Sequence, residues 1–410
     1  MYLVSLFACS FSLNFLGNVP KSLIGRRIIM NGPAAGSKTS KCTRFDGNGI
    51  ITSVAFKEDK FVISDVEIPQ EEITFPLSDY MERDYLKIIS KFPYTILGTH
   101  KISSGTKNTA VLKYEDEFYA VEETCKPMKL VYVDDIINLS DETSNNVTRM
   151  GAHLLDENTC FSYTIFKSRP IRFNNRMDVP WTPRKYPLLV HDGVMTYDKK
   201  MCIFPITSTG LGKIDQYINS EIDLPLDPKV NVAGFVVYDI EKNCCNEVLL
   251  DEYVDLFHIS HVEHIMNNIH KLYIPFVYNF TDWVCGSIGD LYITLKEIII
   301  DLKTNKIIDS FDTKIRMDFV NKYKDFLVGS SLTNTSQAIF YNLNTKLCSV
   351  LNIPGECVRE IIPFDDMLMY FSHELNNTKT FLYVVTMTSA EIISKIPVPN
   401  RPPGYHTSFF

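Results

Sequence analysis

Short apolar runs of strand length, cut by Asn, Asp, Gly and Lys turns, recur along almost the whole 410-residue chain. Residues 117–122, 161–166, 201–206, 232–239, 272–280, 298–302, 338–343 and 380–386 are examples. Runs this short, bounded by turn residues, form strands, and many of them in series build a sandwich, barrel or propeller. The 26 Phe and 21 Tyr fit strands as well, because aromatic rings pack on a pleated surface. An internal echo favours the propeller. Tyr238-Asp239-Ile240-Glu241-Lys242-Asn243, Ile300-Asp301-Leu302-Lys303-Thr304-Asn305 and Tyr341-Asn342-Leu343-Asn344-Thr345-Lys346 each pass from a strand through a polar turn into a strand, as one hairpin of a repeated blade would. One helix is expected, over 77–91, with Ser78 as N-cap and Leu77, Tyr80, Met81, Tyr85, Ile88 and Ile89 on one face. No low-complexity linker divides the sequence, so residues 1–410 are expected to form a single domain.

Charge narrows the function classes. The net charge is −8 and no basic block stands out, so the footprint of a nucleic-acid binder is missing. The ten cysteines show no CxxC spacing and so do not suggest a zinc ribbon; at this density they are expected as reduced thiols of a cytoplasmic protein. Sequons at Asn138, Asn146, Asn279, Asn334 and Asn376 matter only in a secreted chain. The apolar stretch 1–17 lacks a basic start and is broken by Ser5, Ser10, Ser12 and Asn14, so it is expected as a buried first strand.

Four histidines stand in four separate strand-like contexts: Gly151-Ala152-His153, Val190-His191-Asp192, Phe257-His258-Ile259 and Gly404-Tyr405-His406. A local metal loop keeps its ligands close in sequence. A metal on the axis of a radially repeated fold takes one ligand from each of several distant blades. Imidazole is the commonest metal ligand, and its second ring nitrogen usually donates to a carboxylate or carbonyl. Glu123, Asp312 and Glu360 are acidic residues in strand contexts that suit this outer role. Four neutral nitrogens suit Fe(II), Zn or Cu. A lone histidine on an apolar strand is more often a core residue than a ligand, and the third position has a rival. His261 lies beside His258 and would face the other way on a strand, with His264 close by. His100, His270 and His373 have no such context and are read as surface or structural. An Asp following a ligand, as Asp192 does, more often fixes backbone or ring than reacts.

These residues carry a family resemblance. Val19-Pro20-Lys21-Ser22-Leu23-Ile24-Gly25 with Asn31-Gly32-Pro33, the turn Phe45-Asp46-Gly47-Asn48-Gly49-Ile50, Asn108-Thr109-Ala110-Val111, Ala120-Val121-Glu122-Glu123-Thr124 and the four histidine segments fall in one order. In that order the chain resembles the carotenoid cleavage oxygenase family, which includes the vertebrate retinoid isomerohydrolase. Met30, Asp312 and Ile361 stand where the family pattern has Arg, Glu and Pro. The resemblance implies an all-β, seven-bladed β-propeller with a small helical cap over the active-site face. It implies Fe(II) held by His153, His191, His258 and His406, with Glu123, Asp312 and Glu360 orienting three of the rings.

The expected function is that of a non-haem Fe(II) dioxygenase. It would cleave a conjugated carbon–carbon double bond of a carotenoid, apocarotenoid or stilbenoid into two carbonyl products. The partners are then a small apolar polyene and O2, with peripheral membrane contact left open, since no amphipathic membrane helix is clear. Two other readings stand beside it: an isomerohydrolase that uses the same metal as a Lewis acid, and a degenerate propeller that binds a lipid or partner without catalysis.

Overall fold

The computed structural model describes residues 16–33, 49–68, 107, 109–121, 126–140, 150–163, 168–174, 176–185, 187, 189–211, 226–227, 229–280, 292–331, 336–374, 379–400 and 406–410. The expected helix over 77–91 lies outside them, and so do His100 and Glu123. Among the described residues nearly all regular structure is strand; the helical cap is not among it, and helix is confined to the single turn Lys21–Leu23 and Phe280.

Among the described residues, seven of the eight antiparallel sheets are blades that follow one another along the chain, and the eighth is the short pair Gly210–Leu211 and Leu226–Asp227. In the second to seventh blades the strands follow chain order from the inner edge of the blade to the outer. The second blade runs Ala110–Tyr114, Glu117–Val121, Met128–Val133 and Ile136–Leu139. The third is Phe161–Tyr163, Ile171–Phe173 and Met177–Asp178. The fourth is Val194–Met195, Met201–Ile206, Gly234–Asp239 and Cys244–Leu249. In the fifth, Asp255–Leu256 and His261–Met266 both pair with Ile269–Tyr278, followed by Tyr292–Asp301 and Lys306–Asp312. The sixth is Asp318–Tyr323, Phe326–Ser330, Gln337–Asn342 and Cys348–Asn352. The seventh is Ile361–Phe364, Met367–Glu374, Lys379–Thr386 and Ile392–Val398, with Leu16–Gly17 added at its outer edge.

The first blade closes the ring. Arg27–Pro33, Gly49–Phe56 and Phe61–Glu67 come from the start of the chain, while the inner strand, His406–Phe409, comes from its end. Asn31 sits opposite His406 and Ile28 opposite Phe409, so both ends of the sequence meet in one sheet. Where the structure describes them, the apolar runs singled out in the sequence fall mainly on strands. The three echoing segments are the last hairpins of the fourth, fifth and sixth blades. Each turn repeats one device. Asp239, Asp301 or Asn342 accepts an amide hydrogen two or three residues on, and Asn243, Asn305 or Lys346 takes the left-handed backbone conformation that ends the turn.

The core is divided among the blades. Seven apolar clusters lie one between each adjacent pair. Ile29, Ile51, Val111 and Leu130 join the first blade to the second, and Met369, Leu382, Ile28 and Val54 join the seventh to the first. A propeller blade therefore buries both faces of its middle strands. This is why runs such as Ile269–Tyr278 are apolar almost throughout, without the alternation of a sheet with one wet face. The outer strands Lys306–Asp312 and Cys348–Asn352 are mostly exposed and mix polar and apolar residues.

Candidate metal centre

Ring closure brings four widely spaced segments to the hub. His153 lies in the stretch that leads into the third blade. His191 precedes the inner strand of the fourth, His258 follows that of the fifth, and His406 opens that of the first. Two glycines let these segments press against the core. A Cβ on Gly193 would stand 2.7 Å from both Leu155 Cδ2 and Phe204 Cδ1, and one on Gly151 would stand 2.9 Å from the Phe161 ring.

The ligand atoms of the four rings all lie within 4.8 Å of one another, the one such group of four among the described residues. The shortest ring-centroid separation is 4.6 Å, between His153 and His406. The longest, 5.4 Å, separates His153 from His258, His191 from His406 and His258 from His406. Four centroids about 5 Å apart share a centre about 3 Å from each. A ring nitrogen stands about 1 Å nearer that centre, which leaves about 2 Å, the length of a metal–imidazole bond. The nitrogens point the right way. Nε2 of His153 and of His258 are buried without a hydrogen-bond partner, and Nε2 of His191 lies 3.3 Å from Nε2 of His406. Orphaned ring nitrogens are costly in a protein interior. Four converging imidazoles suit a divalent transition metal.

Carboxylates hold the outer nitrogens. His406 Nδ1 is 3.2 Å from Glu360 Oε2, which also accepts the Thr407 amide at 2.8 Å. Glu360 is steadied in turn by Asn321, whose Nδ2 donates to its Oε1 at 3.2 Å and to the Ile361 carbonyl at 3.0 Å. His258 Nδ1 is 2.8 Å from Asp318 Oδ1. The expectation for Asp312 is thereby corrected. That residue ends an outer strand and is taken up by Thr294 and by Lys314, at 2.6 and 2.7 Å. Asp318 and Glu360 share a position in the fold, at or just before the first residue of an inner strand, and a carboxylate there reaches the hub. The acid flanked by Met317 and Phe319 was visible in the sequence, but its meaning depended on knowing where the sixth blade begins.

The backbone is bent to make this contact. Register shifts between Asp318 and Asn321, and Phe319 takes φ 51°, a left-handed conformation unusual for an aromatic residue. Its ring stands 5.3 Å from His258 and 5.4 Å from His406. Asp192 touches no ring. Its Oδ1 accepts the Gly193 amide at 2.6 Å and its Oδ2 the Ile259 amide at 2.7 Å. His261 lies outside the cluster, stacked on Tyr273 at 5.8 Å. Of the two candidates for the third position, the structure therefore places His258 at the hub. His373 bonds Thr380 and His264 packs on His270, away from the hub.

Burial and mutual repulsion keep His153 and His191 well below the usual imidazole range, so both are neutral near pH 7, the state a metal ligand needs. Burial pushes His258 down too, but Asp318, with Asp192 and Glu360, outweighs it and lifts this ring to about 9. Burial would raise the Asp318 carboxyl, and its pairing with His258 holds it below the usual range instead.

No family model and no curated protein matches the sequence. Solved structures do. The fold is similar to that of cobalt-substituted Synechocystis apocarotenoid oxygenase, with a TM-score of 0.71 at 14% identity over 98% of this chain and 96% of that one. It is similar to Pseudomonas brassicacearum lignostilbene dioxygenase, with a TM-score of 0.68 at 14% identity over 99% and 95%. The chain is a seven-bladed β-propeller of the kind these oxygenases adopt, as the sequence resemblance implied, and it carries a four-histidine cluster at its hub.

Proposed function

We propose that the protein is a non-haem Fe(II)-dependent dioxygenase of the carotenoid cleavage oxygenase family. It cleaves a conjugated double bond of a carotenoid, apocarotenoid or stilbenoid into two carbonyl products. The observation that carries this reading is the hub: four imidazoles around one centre, two with orphaned Nε2 atoms, and two backed by carboxylates. His153, His191, His258 and His406 would hold the ion. A redox-active divalent metal supplies access to dioxygen, which an apolar polyene does not react with unaided.

The chain's own residues do the rest. Asp318 and Glu360 hold Nδ1 of His258 and His406 and so fix both rings with Nε2 turned inward. His258, lifted to about 9 beside Asp318, would have to give up its ring proton to join the other three as a ligand. The Phe319 ring beside His258 and His406 gives the hub an apolar wall. Such a wall excludes water and favours a polyene over a polar substrate. Zinc would suit the same donors but has no redox chemistry, so metal identity and turnover are read together. Among the described residues no helix is long and apolar enough to cross a membrane.

The test is anaerobic loading with Fe(II), then oxygen and a panel of carotenoids, apocarotenoids and stilbenes. Loss of polyene absorbance with two carbonyl products by mass is the expected result. Iron binding with isomerised or hydrolysed but uncleaved product would move the reading to the isomerohydrolase type. Absence of any bound metal would leave a non-catalytic propeller.

A further inference from the structure

We propose that Asp192 is a positioning residue that locks two of the four hub histidines together before any metal arrives. The inference rests on the reading of the hub as a metal centre. Its basis is the place of each hydrogen bond. The Gly193 amide donates to Oδ1 at 2.6 Å and the Ile259 amide to Oδ2 at 2.7 Å. His191 is the residue before Asp192, and His258 is the residue before Ile259. One carboxylate therefore fixes the backbone just beyond two ligands that are 67 residues apart and belong to different blades. The two rings it governs stand 5.1 Å apart.

Asp192 is 7% exposed, and a buried carboxylate satisfied by two amides is an expensive way to join two loops. A neutral acceptor would hold one of those amides at lower cost. The charge gains something beside a dication, which a neutral side chain would not. Gly193 supplies the room, since any Cβ there would strike Leu155 and Phe204 and push the Asp192 peptide off its place. The clamp thus sets the distance between two ligands in the way that supporting shells around designed and natural metal sites do.

A matched control exists in the same region. Asp255 is 3% exposed and clamps Thr209 through its amide at 2.9 Å and its hydroxyl at 2.7 Å. It bonds no residue adjacent to a hub histidine. The experiment loads full-length wild type, Asp192→Asn and Asp255→Asn with Co(II), reading the dissociation constant and the visible absorption bands. Asp192→Asn should weaken binding on the order of 10–100-fold and shift the bands, while Asp255→Asn should match wild type in both. Unchanged affinity and bands in Asp192→Asn overturn the inference, and so do equal changes in both variants. Failure of wild type to take up Co(II) overturns the metal-centre reading itself. Amide hydrogen exchange on metal-free wild type covers the case in which Asp192→Asn does not fold. The Gly193 and Ile259 amides should be strongly protected; rapid exchange at either would show that no clamp exists before metal binds.

Discussion

Replacing Asp318 by alanine separates the carboxylate chosen by the structure from the one that sequence reasoning chose. The His258–Asp318 contact is 2.8 Å, and the two side chains are 12% and 7% exposed. Asp318→Ala leaves the His258 ring without its acceptor and free to turn its Nε2 away from the hub. Loss of such an outer partner weakens metal binding on the order of 10–100-fold, which is about 1.4–2.7 kcal/mol. Metal-free stability should fall by about 1.5–3 kcal/mol, the range for a hydrogen bond to a charged group. Asp312 is the internal comparison. Its Lys314 partner is 77% exposed, a surface pair of the kind that contributes about 0–1 kcal/mol, and none of its bonds leads to the hub. Chelator competition with Co(II) or Fe(II) under argon gives both affinities. Asp318→Ala should lose much of its affinity and Asp312→Ala none. Equal affinities in the two variants, or a loss confined to Asp312→Ala, would refute the assignment of Asp318.

Four other outcomes follow from the same geometry. His191→Ala should abolish stoichiometric metal binding, while His261→Ala and His373→Ala should leave it intact, as measured by metal analysis after desalting. Gly193→Ala should cost about 1–3 kcal/mol in thermal or denaturant unfolding, because its methyl meets Leu155 and Phe204 at 2.7 Å. Burial raises the Asp255 carboxyl from 3.8 to about 6; its stabilising contribution is then full below about pH 4 and is lost as pH rises through about 6, for a total of about 3 kcal/mol. Asp255→Asn should remove that slope, so that its Tm gains on wild type between pH 4 and 7; parallel curves would contradict the assignment. Deleting residues 406–410 takes away the inner strand of the first blade as well as one hub histidine, and should abolish a single cooperative unfolding transition, with an unchanged Tm as the contrary result.

Much of the fold was legible because propeller blades write themselves locally. A blade is consecutive hairpins, so 201–206, 232–239 and 298–302 could be recognised from runs of apolar residues and the Asx turns between them. The hub histidines were legible too, since three of them stand at or within three residues of an inner strand, His191, His258 and His406. The outer carboxylates were less so. Glu360 could be named from its strand context, Arg359-Glu360-Ile361, and from the family resemblance, whereas Asp312 and Asp318 lie six positions apart on either side of a blade boundary that no residue in the sequence marks. The bulge that turns Asp318 inward is a tertiary event, with Phe319 at φ 51° and its ring beside two hub rings. The clamp at Asp192 was equally hidden. A bond to an amide in the next blade leaves no local pattern, and only the ring closure brings Ile259 within reach.

The central claim is that four distant histidines make one metal site. Metal content per chain after anaerobic Fe(II) loading and removal of excess, measured for wild type and for the His153, His191, His258 and His406 alanine variants, tests it most directly. The account predicts one iron per wild-type chain and well below one in each of the four variants. A wild-type chain that holds no iron, or a variant set in which any of the four retains full loading, would contradict it.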